Sequence, residues 1–307
     1  MNWTRIGPVV RVLVFTALVA AFVGLQVWRD AVYGEPAPGE AVLYVRSGDG
    51  MRRVALGFAP LLADVYWVRA VQYYGATRLS TDEHKRYDLL YPLLDITTSL
   101  DPRFNIAYRF GSIFLTEAYP GGAGRPDQAI LLLEKGFRAN PARWHYLQDI
   151  GFVYYWWLGD YRKAGEWFTR ASRIPGAPWW MQSLAAVTLA QGGDRQSSRR
   201  LWQAMHDTAE NDWVRSTATL RLAQLDALDA IDQLTATVAE FKARTGAYPA
   251  SWDALVRARM IRGVPLDASG AAFVLDPQGG SVTLSPGSSL GPLPAGSQAA
   301  RAPGGER

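Results

Sequence analysis

His84, His145 and His206 are the only imidazoles in the 307 residues. His145 has a carboxylate one helical turn ahead of it, at Asp149. That is the spacing at which a carboxylate can orient an imidazole for proton transfer. No HExxH helix, Walker-type phosphate loop, GxSxG elbow or GxGxxG turn accompanies the pair. The carboxylates Asp64 and Glu166 have no second carboxylate at helical spacing. Cysteine is absent, which excludes disulfides, thiolate metal sites and a Cys nucleophile. These residue types point away from an enzyme, a bound metal and a resident cofactor.

Aromatic side chains are the other candidates for chemistry. In YYWWLGDYRKAGEWFTRAS, residues 154–172, seven of nineteen are rings, and the chain carries twelve tryptophans. Rings this dense either fill a core or present flat faces to a ligand. The formal net charge is only +4 and no dense Lys/Arg run occurs, which argues against nucleic acid as partner.

Several elements must carry these rings. Hydrophobic residues make up 49% of the chain and charged residues 20%, enough for a substantial core. After Arg11 the run VLVFTALVAAFVGLQVW holds no charge until Arg29. From Pro8 to Trp28 a helix would be about 31 Å long, close to the roughly 30 Å hydrocarbon thickness. Residues 1–33 therefore read as a single-pass anchor, with Trp3 and Trp28 suited to the interfaces; a cleaved signal peptide is the alternative. Arg5 and Arg11 before the span favour a cytoplasmic N-terminus and an extracytoplasmic body. Residues 34–56 read as a linker, with a hairpin turn at Asp49-Gly50.

Residues 57–211 repeat. Asp101-Pro102 and Asn140-Pro141 each end a helical pattern, and Gly111 and Gly151 recur mid-helix. Small, large and small residues stand at i, i+4 and i+7 on one helical face four times. They are Leu90, Leu94 and Thr97; Ala129, Leu133 and Gly136; Ala164, Phe168 and Ala171; and Ser198, Trp202 and Met205. Residues 212–245 then step by threes and fours from Val214 to Phe241, as one long helix able to cap a stack. Residues 246–284 change character, with a short helix predicted at about 251–259. Phe273-Val274-Leu275 and Val282-Thr283-Leu284 flank DPQGG as a predicted hairpin. The Pro, Gly and Ser content of residues 285–307 predicts a disordered tail.

The repeat resembles the tetratricopeptide repeat family, best in GFVYYWWLGDYRKAGEWFTRAS. Gly151, Tyr154, Ala164, Phe168 and Ala171 stand at the family's motif positions. The resemblance implies helix pairs stacked as an α-solenoid, so with the N-terminal run and residues 246–284 the chain reads as a mainly α fold: a tetratricopeptide-like α-solenoid after a transmembrane helix, with a small C-terminal α/β appendage. It further implies an inner groove lined by Asn105, Tyr108, Ser112, His145, Gln148, Phe152, Trp179 and Gln182. Such a polar and aromatic lining suits a peptide or protein segment. Gly246, Tyr248-Pro249, Leu255, Pro265 and Asp267 resemble the C-terminal part of type II secretion pseudopilins. Together the two resemblances imply an adaptor on the bacterial cytoplasmic membrane that binds a protein partner, within secretion or pilus-type assembly. A glycan-binding envelope module is the alternative, on the strength of Trp179-Trp180, Tyr155 and Trp156.

Overall fold

The protein is described by a computed structural model that covers residues 8–33, 48–82 and 84–294. It is mainly helical, with helices packed in consecutive pairs, and divides into two compact units, Met1–Asp101 and Pro102–Arg307.

In the first unit, α1 (Pro8–Tyr33) exposes every side chain from Val12 to Trp28. A helix apolar on all sides has no polar face to give to water. Among the described residues, no helix is long and apolar enough to cross a membrane. The run from residue 12 to 28 is about 26 Å long as a helix, short of the roughly 30 Å hydrocarbon layer. A second helix, α2 (Gly48–Val54), stands where Asp49-Gly50 predicted a hairpin turn. Residues 34–47, the rest of that linker, lie outside the described residues. α3 (Ala59–Leu79) begins with Pro60 in its first turn, where a missing N–H costs no helical hydrogen bond. It packs on α4 (Leu90–Leu100). The contact buries Ala63, Tyr66, Ala70 and Tyr74 of α3, spaced three and four apart, with Leu90, Leu93 and Leu94 of α4. Thr97 and Thr98 are fully buried in α4, and their hydroxyls donate to the carbonyls of Leu93 and Leu94 at 2.8 Å. The local bonds remove the cost of burying two hydroxyls.

The second unit opens with α5 (Asn105–Thr116) and α6 (Pro126–Ala139). α7 (Trp144–Phe152) runs directly into a π-helical turn, Val153–Trp157, and pairs with α8 (Tyr161–Ser172). α9 (Trp180–Gln191) pairs with α10 (Arg195–Asp207). The helix starts are set locally. Asp160 caps α8 by accepting from the Lys163 amide at 3.0 Å, and Asp194 caps α10 by accepting from the Ser197 amide at 2.9 Å. All twelve small-large-small positions of the sequence pattern are buried, the first three in α4 and the others in α6, α8 and α10. The fit is close. A Cβ on Gly151 would stand 2.4 Å from the Phe168 ring, and one on Gly165 2.6 Å from Leu189.

α11 (Asp212–Thr245) spans 34 residues, as predicted, and ends where Gly246 turns left-handed at φ 85°. Its N-terminal half packs Ala218, Leu225 and Leu228 with Ala186, Ala190, Trp202 and Met205. An ionic clamp flanks this contact. Arg195 donates to Asp229 at 3.0 Å and Asp232 at 2.6 Å, and Arg199 donates to Asp229 at 2.6 Å and also to Asp226. The other half of α11 packs Ile231 and Val238 with Trp252, Leu255, Phe273, Val282 and Leu290. One helix thus serves two cores.

The appendage has a short helix, α12 (Trp252–Arg257), and an antiparallel hairpin of β1 (Val274–Leu275) and β2 (Val282–Thr283). The hairpin pairs Val274 with Thr283 and Leu275 with Val282, in the predicted place. The tail departs from expectation. Residues 285–294 are held, while 295–307 lie outside the described residues. Buried Gln224 donates to the Leu290 carbonyl at 2.7 Å and to that of Pro292 at 3.1 Å, and Leu290 is itself buried. Polar composition favours disorder, but one apolar anchor and one buried amide hold this stretch to α11.

Asp267 is the second tie. Its carboxylate accepts from the Ser269 amide at 2.8 Å, the Ala271 amide at 3.1 Å, and the hydroxyls of Ser269 and Ser288. Burial pushes this carboxyl up, but the hydrogen bonds outweigh burial and hold it below the ordinary 3.8. A depressed carboxylate adds stability above the ordinary value and loses it as pH falls through the folded-state value. The appendage is therefore expected to loosen below pH 3.8. Its melting temperature should fall more steeply from about pH 5 to about pH 3 in the wild type than in Asp267→Asn, which has no charge to lose.

Candidate binding surface

The residues expected to line a groove separate into two groups. Tyr108, Ser112 and Gln148 are buried and do not line an open surface. The Tyr108 ring meets the edge of Tyr146 at 5.4 Å, beneath Gly136, where a Cβ would stand 2.9 Å from it. A glycine on one helix admits a large ring from its neighbour, so Tyr108 fills the core. Ser112 turns its hydroxyl back to the Arg109 carbonyl at 2.6 Å. Phe152 packs edge-on against Phe168 at 5.1 Å. Asn105 accepts from the Tyr146 hydroxyl at 2.5 Å and so ties α5 to α7. His145, Trp179 and Gln182 remain at least partly accessible.

The possible imidazole–carboxylate pair is not formed. Asp149 accepts two hydrogen bonds from Arg109, from Nε at 2.5 Å and Nη2 at 3.0 Å. Burial pushes the Asp149 carboxyl up against the pull of Arg109, while that bidentate pairing raises Arg109. The His145 ring stacks on Trp144 at 3.7 Å, and its Nδ1 is buried without a hydrogen-bond partner. Burial, then the charge of Arg109, lower the His145 pKa below 6.5. The imidazole is thus neutral near pH 7 and held by stacking, not oriented as a base. Among the described residues, no group of three His, Cys, Asp or Glu side chains could hold a metal ion.

A row of tryptophans is exposed instead. Trp144 begins α7, Trp180 begins α9 with Trp179 just before it, and Trp213 lies in the first turn of α11. Trp144 and Trp180 meet at 6.0 Å with ring planes at 84°, and Trp179 and Trp213 at 5.4 Å with planes at 83°. These edge-to-face contacts fix the rings against one another. Trp179 remains 56% exposed, Trp180 40% and Trp213 61%. The sequence singled out Trp179 but missed Trp213, which lies 34 positions later and joins the row only through the fold.

The ring-rich stretch at 154–172 divides similarly. Phe168 is core, and Trp167 is half-buried under the Arg170 guanidinium at 4.0 Å. The π turn carries Trp156, Trp157 and Leu158 outward, with Trp156 68% exposed. Such a turn inserts one residue into the helical winding and re-aims the side chains beyond it, a shift that no 3.6-residue periodicity predicts. Tyr155 stays against Tyr161 at 5.0 Å, and its hydroxyl donates to Gln191 at 3.3 Å.

No family model matches the chain, and neither curated proteins nor solved structures include a match.

Proposed function

We propose that this protein is a tetratricopeptide-like scaffold that binds a protein partner through the tryptophan row and is attached to a membrane through α1. The row carries the reading. Three large indoles stay exposed at the starts of two helices, Trp179 and Trp213 against each other and Trp180 against Trp144. Preordered aromatic surface of this kind supplies the anchors of protein interfaces. Helix pairs closed by Gly151 on Phe168 and by Gly165 on Leu189 support the repeat reading. The exposed apolar side chains of α1 support attachment to a bilayer, which would cover such a helix. Tethering raises the local concentration of row and partner. The pseudopilin-like appendage directs the reading towards secretion or pilus-type assembly in a bacterial envelope, with the body outside the cytoplasm.

The exposed faces of Trp179 and Trp180 favour one second reading, a glycan stacked on the rings. The full chain, in nanodiscs of zwitterionic lipid, would be passed over insoluble peptidoglycan and chitin. The scaffold reading expects no retention. Retention that Trp179→Ala abolishes would replace it with the glycan reading.

A further inference from the structure

A cleft of about 590 Å³ lies between α8 and α10. Its walls carry Arg162, Arg170, Arg173 and Arg200, and its floor holds Leu189 and Leu201. α8 sits close on Leu189 because Gly165 has no side chain. Among the described residues, two carboxylates line the cleft with these four arginines, and both are engaged. Asp194 caps α10 through the Ser197 amide, and Glu166 pairs with Arg162 at 3.5 Å. The Arg200 guanidinium donates to the Ser197 hydroxyl at 2.7 Å, and that of Arg170 rests on Trp167. Among the described residues, no carboxylate pairs with Arg170, Arg173 or Arg200.

We infer that this cleft docks an acidic peptide segment of a partner protein, with its carboxylates on Arg170, Arg173 and Arg200 and an apolar side chain over Leu189 and Leu201. The chemistry comes from the lining. Guanidinium forks match carboxylates in two-point hydrogen bonds. A free inorganic anion would leave most of the cleft unfilled, since its volume is of the order of one or two waters at ~30 Å³ each. The leucine floor calls for an apolar group within reach of the acids, which a peptide supplies by alternation. The inference deepens the scaffold reading by giving its partner a charge and a pattern. It uses no residue of the tryptophan row, so the two fail separately.

The test uses the full chain in phosphatidylcholine nanodiscs and a fluorescein-labelled decapeptide of alternating Glu and Leu. The matching Lys-Leu peptide and phosphatidylglycerol vesicles are the comparison probes. Expected is binding of the Glu-Leu peptide alone, weakened at least about tenfold by Arg173→Glu with Arg200→Glu. Arg173→Gln should weaken it by a smaller factor, and Trp179→Ala not at all. Raising salt from about 50 to about 300 mM should weaken it several-fold. If the charge-reversed chain melts early, Arg173→Gln and Arg200→Gln carry the comparison. Equal affinity of wild type and these variants overturns the inference. So does binding of phosphatidylglycerol vesicles, sensitive to the same arginines, without binding of the peptide.

Discussion

Phe168→Ala is expected to destabilise the protein by about 3–5 kcal/mol, the usual cost of deleting a fully buried aromatic ring. Phe168 has no exposed surface and fills the space that Gly151 leaves open. The reciprocal change, Gly151→Ala, drives a methyl to within 2.4 Å of that ring. The ring is fully buried, with Phe152 packed edge-on against it at 5.1 Å between ring centres, and has little room to step aside. Overpacking of this kind costs about 1–3 kcal/mol. In the Phe168→Ala background the same methyl enters the cavity, so its cost should vanish or reverse. Urea unfolding of the four chains measures the coupling, expected at about 1–3 kcal/mol. Additive effects would mean that the two helices do not meet as described.

The second large effect is on binding. Trp179→Ala, Trp180→Ala and Trp213→Ala together are expected to change stability by no more than about 1–2 kcal/mol. The three rings are 40 to 61% exposed and pack on one another and on Trp144, outside the main cores. Partner affinity should nonetheless fall beyond detection. A single interface tryptophan acting as an anchor contributes about 2 kcal/mol or more, roughly thirtyfold in affinity. A triple variant that melts normally and still binds its partner at full strength would exclude the row as the interface.

What was legible in the sequence was what local packing alone dictates. Small residues at Ala164 and Ala171 around Phe168 can only mean close helix contact, and all three are buried. The threefold and fourfold steps after Asp212 gave α11 to its ends, because Asn211 caps it through the Val214 amide and Gly246 stops it. What was not legible depended on partners distant in sequence. The groove positions assumed that α5 and α7 expose the same faces. Gly136 instead draws Tyr108 and Tyr146 inward, and Tyr108 becomes core. The Asp149 spacing suggested a bond to His145, but Arg109, forty residues earlier, takes both oxygens. The tail looked disordered by composition, yet Gln224 binds two of its carbonyls from sixty-six and sixty-eight residues away. At Asp49-Gly50 a turn dipeptide lies in a helix, α2, which packs on α4. Tertiary contact there overrides a local preference worth no more than about 1 kcal/mol.

The most direct test of the scaffold claim is photo-crosslinking in the native cell. A photoreactive amino acid would replace Trp180 or Trp213 in turn, with Gln233 on the exposed side of α11 as control. The account predicts one and the same protein captured from both tryptophan positions and not from Gln233. Adducts equal at all three positions, or none at Trp180 and Trp213 beyond those at Gln233, would contradict it.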